Sequence, residues 1–332
     1  MQTILIATDN LLDQVNGVVT TFTNIEIEAR KDDYIIQYVD PSMFTHFSAI
    51  GYNEVKLSIV TDIAEIIKEI NPSYIHIATE GPIGLAIRNY CVKHDLNFNT
   101  SYHTKFPEFL NKLYRIPECI TYGYVRWFHE KSYRVLTTTQ TIVNELQAHG
   151  FSGSVVPWTR GVDRTNLSPS RGRTTRSKPI LLYVGRVSKE KGLDDLCSLS
   201  TDKYTIQIVG DGPYRKDLEK RYPAVDFVGY HRGESLANYY QNADVFCFPS
   251  RTDTFGIVII EALSLGTPVA AFHVPGPLDI LEPGVNGYML NNFEESVQKC
   301  LLLDRDAVKS TSAQWTWNNC WLIFKSHLIN VR

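Results

Sequence analysis

Several features that mark other classes of protein are missing from this sequence. Its six cysteines (Cys91, Cys119, Cys197, Cys247, Cys300 and Cys320) include no CxxC pair and sit mostly among apolar neighbours. This argues against a disulfide frame or a cysteine-based zinc site and points to buried thiols in a reducing compartment. No uncharged apolar run approaches the roughly 20 residues that a membrane span needs. An excess of one charge is missing too: 33 Lys and Arg stand against 36 Asp and Glu, a net charge of −3. Without a basic field, nucleic acid is not an expected partner. The opening "MQTILIATDN" has no basic region ahead of a long apolar core, so no secretory signal is expected. The expectation is a soluble cytoplasmic protein whose 332 residues, 43% hydrophobic, can bury two cores.

What is present is an alternation of short apolar runs with amphipathic stretches. "TILIAT", "YIIQYV", "YIHIA" and "FNTSYHT" read as strands, with "VVTTFTNIEIEARK", "DIAEIIKEI" and "IGLAIRNYCVKH" as the helices between them. The rhythm breaks at "DRTNLSPSRGRTTRSKP", where two prolines accompany Arg171, Arg173, Arg176 and Lys178 with no acid after Asp163. Such composition predicts an exposed connector. The alternation then resumes with "ILLYVG", "TIQIVG", "VDFVG", "ADVFCFP" and "PVAAF". The predicted class is α/β, with two doubly wound parallel-sheet (Rossmann-like) domains at 1–163 and 179–313, and a linker at 164–178. The closing segment 314–332, with Trp315, Trp317 and Trp321, is expected to return as a helix onto the first domain. Two such domains leave a cleft, and ligands bind at the C-terminal edges of the strands.

One detail of the second half asks for an explanation. In "FPSRTDTFGIVIIEALSLGTPVAAF" a nearly all-apolar helix carries a single glutamate, Glu261, eight residues after Asp253. A lone carboxylate among Ile257, Ile259, Ile260, Ala262 and Leu263 is costly unless it is hydrogen-bonded, by the protein or by a ligand. Paired hydroxyls, as on a ribose, would suit it. The helix start at Phe255, Gly256 and Ile257 offers free amides and a positive dipole end. Asp253 or Thr254 also suits an N-cap there. Upstream, "YVGRVSKEKG" places Arg186 and Lys191 after a buried run, a pair suited to a diphosphate and equally readable as a solvated basic loop. "IVGDGP" sets Gly210 and Gly212 after a strand, where the backbone can approach a ligand or simply turn tightly. It is not the dinucleotide fingerprint, because Arg215 stands where the third glycine belongs.

In the first half, Gly17 lies where a helix would start, with Asn16 as an alternative cap. His103 ends one strand, and Glu80 and Gly81 end another. Most lone histidines are structural, so both readings of His103 stand.

Together, "NGVVTTF", "YHTKFPEF", "RGVD", "YVGRVSKEKG", "VGDGP" and the Glu261 stretch resemble the retaining glycosyltransferases of family 4. The subgroup resembled is that of bacterial GDP-mannose-dependent α-mannosyltransferases. The resemblance runs from Ile4 to the C-terminal helix and implies the GT-B fold, with the two domains facing a cleft. It implies that Arg186 and Lys191 neutralise the donor diphosphate, with a Gly17 amide contributing, and that Glu261 holds the ribose. Asp253 occupies the place of the first glutamate in the family's E-x7-E motif, so this chain carries D-x7-E. The amides of Phe255, Gly256 and Ile257 would meet sugar and phosphate, His103 the sugar's primary hydroxyl, and Tyr230 and His231 the base.

The implied activity is transfer of a hexose, mannose from GDP-mannose, to a glycan or lipid-linked acceptor hydroxyl, without metal or other cofactor. A DxD occurs at Asp304–Asp306, but in a helical region far from these loops in sequence, and it is read as chance. Lys105, Lys112, Arg115, Arg126, Lys131 and Arg134 lie among aromatics over 105–134, a mixture that fits either ordinary amphipathic helices or peripheral contact at the inner face of a membrane. A UDP-glucose or UDP-galactose donor, or a catalytically silent sugar-nucleotide binder, is the alternative. A nicotinamide dehydrogenase is disfavoured by the missing glycine fingerprint.

Overall fold

A computed structural model describes residues 2–14, 16–49, 52–170, 172–174 and 176–332, leaving out the side chains at 49, 52–55, 109, 112 and 113. Arg171 and the Lys112 side chain, named above, therefore lie outside the described residues. The chain divides into two compact units, 1–160 with 317–332, and 161–316.

The apolar runs of the first unit become β1 (Gln2–Ala7), β2 (Tyr34–Val39), β3 (Thr45–Ala49), β4 (Tyr52–Ile59), β5 (Tyr74–Ile77), β6 (Asn99–Tyr102), β7 (Val135–Thr137) and β8 (Val155–Pro157). Six of them form a parallel sheet ordered β2-β1-β5-β6-β7-β8. β1, β5, β6 and β7 are buried along most or all of their length because helices cover both faces, which is why they read as continuous runs rather than alternating ones. The expected helices appear at Gly17–Lys31, Ile63–Ile70 and Pro82–Lys93. The antiparallel hairpin β3–β4 was not foreseen.

The second unit contains β9 (Ile180–Val184), β10 (Thr205–Val209), β11 (Asp226–Gly229), β12 (Val245–Phe248), β13 (Val269–Ala271) and β14 (Gly287–Met289). They form one parallel sheet ordered β11-β10-β9-β12-β13-β14. The order reverses direction beside β9, and the loops after β9 and β12 leave the sheet at this switch point.

The boundary differs from the expected one. Residues 164–178 are counted with the second unit, where Leu167 is buried in the core, Arg173 pairs with Asp244, and the Thr174 amide donates to Asn242 (3.0 Å). Composition flagged the exposed charges here but not the apolar anchor. At the other end, helix Trp317–Ser326 belongs to the first unit: the Trp321 indole donates to Asp32 (2.7 Å) and the Trp158 indole to the Cys320 carbonyl (3.0 Å). Trp315 does not travel with it, and instead meets Phe255 edge-on within the second unit, centroids 5.7 Å apart.

The interior of the first unit is unusually polar. His76, at the middle of β5, is fully buried against Phe22, Trp158 and Phe324, with Nε2 hydrogen-bonded to Ser101 Oγ at 2.6 Å. Burial drives its pKa from 6.5 down to about 3. The unfolded chain therefore binds a proton near pH 6.5 that the folded chain refuses until about pH 3. Stability is complete above pH 6.5 and falls as the pH drops through that window.

Two outcomes follow for the first unit. Urea midpoints followed from pH 7 to about pH 4 will fall less steeply in His76→Leu than in the unaltered chain, and an unchanged slope would assign the acid sensitivity elsewhere. Trp321→Ala will cost about 3–5 kcal/mol by opening a cavity under the returning helix. Equilibrium denaturation should show that loss in the first unit's transition.

Candidate functional site

The loops after β9 and β10 are locked together by their glycines. A Cβ on Gly210 (φ +132°) would stand 1.9 Å from the Gly185 carbonyl oxygen, and one on Gly212 would stand 2.3 Å from that of Val187. The room these glycines provide is filled by the neighbouring loop's backbone rather than left open for a ligand, so the tight-turn reading describes them. The Tyr183 hydroxyl donates to the Arg186 carbonyl at 2.8 Å, fixing the backbone that carries this half-buried arginine.

Lys191 closes a short turn, Lys189–Lys191, after which Gly192 adopts φ +67°. A Cβ on Gly192 would meet the Pro249 carbonyl at 2.7 Å, so this turn rests directly on the loop after β12. Two ion pairs join the same two segments. Lys191 Nζ lies 2.5 Å from Asp253 Oδ1, and Arg251 pairs with Asp195 at 2.6 Å while its guanidinium stacks over Phe272 at 3.7 Å. Burial pushes the Asp253 carboxyl up, but the Lys191 ammonium and the Ser250 hydroxyl outweigh it and hold the group below its ordinary value. The structure thus brings together two expected site residues from distant parts of the sequence.

The helix that follows runs Ile257–Ser264, and its cap residue is Gly256, with φ +86° and no side-chain cap. Neither Asp253 nor Thr254 caps it, because Gly256 turns the chain after them. The cap residue itself therefore satisfies none of the first amides of this helix, which starts on the segment that holds Asp253. Phe255 is buried, and its carbonyl packs against Gly276, where a Cβ would approach to 2.5 Å.

Glu261 has a protein partner. The hydroxyl of the fully buried Tyr240 donates to Oε2 at 2.7 Å. Among the described residues no protein group donates to Oε1. Burial raises the Glu261 pKa, and the tyrosine bond offsets only part of that. The half-exposed carboxylate is oriented by one hydrogen bond and has capacity for others.

Tyr230 and His231 follow β11 at the surface. Tyr230 is 53% exposed, with Arg232 over its ring at 4.9 Å and bonded to its oxygen at 2.9 Å. His231 meets Ser235 through Nδ1 at 2.8 Å, and its ring lies tilted against Tyr239, centroids 4.8 Å apart. Asp304 caps helix Arg305–Ser310 through the amides of Asp306 and Ala307, a structural role for the DxD.

In the first unit, Asn16 caps helix Gly17–Lys31 by accepting from the amides of Val18 and Val19, each at 3.0 Å. Gly17 is exposed, with nothing near the place of a Cβ. His103 Nδ1 lies 2.9 Å from Arg160 Nη2. Glu80 meets His129 at 3.2 Å, and its carbonyl accepts from the Tyr124 hydroxyl.

Two residues were not picked out individually in the sequence. Arg160 was quoted only as part of "RGVD". Asp9 caps helix Pro82–Lys93 from another loop, accepting from the Ile83 amide (2.8 Å) and Thr79 hydroxyl (2.6 Å), with burial raising its pKa. Gly81 must lack a side chain because Asp9 fills its place, a Cβ there falling 2.4 Å from the carboxyl carbon. The pairing of "TDN" with "TEGP" 70 residues later has no local signature.

Comparisons with known proteins match both units. Residues 18–166 match the family described as Glycosyltransferase Family 4, and residues 168–304 the one described as Glycosyl transferases group 1. A GDP-mannose-dependent alpha-mannosyltransferase of Corynebacterium glutamicum is 29% identical over 71% of this chain and 60% of its own length. The sulfoquinovosyl transferase SQD2 of Arabidopsis thaliana is 31% identical over 77% of this chain and 55% of its own. The chain thus spans little more than half the length of these curated relatives. Among solved structures, sucrose-phosphate synthase from Thermosynechococcus elongatus superposes with a TM-score of 0.80 at 17% identity, covering 98% of both chains. With both units matched in sequence and the whole fold matched in structure, the chain belongs to the family 4 and group 1 glycosyltransferases and has the GT-B fold.

Proposed function

We propose that this chain is a retaining glycosyltransferase that moves mannose from GDP-mannose to a hydroxyl of a glycan or lipid-linked acceptor. The observation that carries the reading is the Lys191–Asp253 pair on the segment leading into the uncapped helix Ile257–Ser264, with Glu261 farther along the same helix. Glycosyl transfer must stabilise a departing diphosphate and an oxocarbenium-like sugar. Lys191, Arg186 and the amides of Gly256 and Ile257 supply preorganised positive charge for the first. Asp253 accepts from hydroxyls of the sugar once the phosphate engages Lys191, and Glu261 Oε1 accepts from the ribose. Within the first unit Gly17 and His103 are the residues proposed for ligand contact, and within the second Tyr230 with His231 frames the base. Since side chains and amides carry the charge, transfer without a divalent cation is part of the proposal.

The donor rests on relatives named for GDP-mannose. A sulfoquinovosyl transferase, not named for GDP-mannose, is about as similar in sequence as the mannosyltransferase, so the relatives leave the donor open and a UDP-hexose is the second reading. Exposed Ile120 and Trp127 stand with Arg126 and Lys131 along and just beyond helix Glu118–His129, which supports peripheral contact with an anionic membrane as the route to a lipid-linked acceptor. Among the described residues no helix is long and apolar enough to cross a membrane.

Thermal stabilisation by GDP, with less from UDP and none from NAD, is the first expected result. Stabilisation by NAD alone would sink the reading, and preference for UDP would select the second donor class. Labelled GDP-mannose should then be turned over in the presence of EDTA. Lys191→Ala and Glu261→Gln should each lower kcat/KM by about a hundredfold or more with unchanged circular dichroism. Cosedimentation with anionic but not neutral vesicles, reduced in the Arg126→Glu/Lys131→Glu double variant, tests the membrane contact.

A further inference from the structure

Arg160 closes the longer of the two segments that make up the first unit and is only 3% exposed. Among the described residues no carboxylate pairs with it. Its Nη1 donates to the carbonyls of Trp158 (2.7 Å) and Thr159 (2.8 Å), and its guanidinium lies over the Trp158 ring at 4.5 Å. Its Nη2 points to His103 Nδ1 at 2.9 Å. A guanidinium carries donors and no acceptor, so Nδ1 must be the acceptor in that bond. The ring proton of a neutral His103 then sits on Nε2.

The elements around His103 reinforce this state. Phe22, from helix Gly17–Lys31, stands edge-on at 5.8 Å, and Trp158, beyond β8, lies at 5.8 Å. Among the described residues, Arg160, His76 on β5 and His129 at the end of helix Glu118–His129 act on it electrostatically. Burial first, then Arg160, His76 and His129, keep the His103 pKa well below its ordinary value.

We infer that Arg160 is a positioning residue that locks His103 as a neutral imidazole with its proton on Nε2, so that His103 serves the reaction as a hydrogen-bond donor to an oxygen of the transferred sugar and not as an acid or base. The tautomer stands on geometry alone, while the identity of the ligand oxygen rests on the glycosyl-transfer reading. Arg160 also ties down two carbonyls of its own turn, so loss of activity in an Arg160 variant would not separate positioning from folding.

Imidazole 15N spectra of the full, ligand-free chain make that separation, with the His103 signals assigned by their absence in His103→Gln. The wild-type chain is expected to show the Nε2–H tautomer across about pH 6 to pH 8. The Nδ1–H tautomer, or an imidazolium at pH 7, would overturn the inference. In Arg160→Met, a mixture of tautomers and protonation at higher pH are expected; an unchanged His103 signature in folded protein would remove Arg160 from the role. For function, the His103→Gln carboxamide replaces the N–H donor. It should keep turnover of labelled GDP-mannose (or of the UDP-hexose, if that is the donor bound) within about tenfold of wild type, while His103→Ala loses about a hundredfold. Equal losses in the two variants would refute the donor role. Should the wild-type chain bind neither GDP nor UDP, the glycosyl-transfer reading fails, and the tautomer result still stands or falls by the spectra.

Discussion

The candidate loops of the second unit share one half-buried ion pair, Lys191 with Asp253. An exposed pair of this kind contributes at most about 1 kcal/mol, but this one joins two loops that leave the sheet on either side of its switch point. Gly192 lets the first loop rest on the Pro249 carbonyl, and Arg251 adds a second pair to Asp195. With those contacts in place, a cation, a carboxylate and the open start of helix Ile257–Ser264 are gathered into one segment of the unit. The pair also neutralises Lys191, so an anion reaching that ammonium has to compete with Asp253.

The first unit answers to a different constraint. Its strands, a helix end and the segments that follow β6 and β8 bring histidines, threonines and an arginine into surroundings where unpaired polar groups are costly. His129 is held between Thr100 and Glu80, His76 by Ser101, and His103 by Arg160. Desolvation keeps His76 and His103 neutral where exposed histidines would titrate. Polar groups fixed in this way keep one protonation state and one orientation, the condition for a side chain that must present a defined donor to a ligand.

Much of the architecture was legible because each unit repeats a local rule: a buried apolar strand, an amphipathic helix, a turn. The D-x7-E spacing and the basic "GRVSKEKG" loop were legible for the same reason, since chemistry carried by one short segment survives as a motif. Hairpin β3–β4 was missed because it departs from that rhythm. The lone glutamate presented a choice between a protein partner and a ligand, and Tyr240 shows that the first holds for one of its oxygens.

The sequence by itself determined the α/β class, the two sheets, the family resemblance and the set of candidate residues, because these follow from periodicity and from residues close together in the chain. Tertiary structure alone decided that Lys191 meets Asp253, that Gly210 and Gly212 make room for backbone, that Asp9 caps a helix more than 70 residues away, and that Arg160 fixes the proton on His103. Each of these depends on the path of the chain between partners distant in sequence, and hydrogen bonding and desolvation act on distance in space.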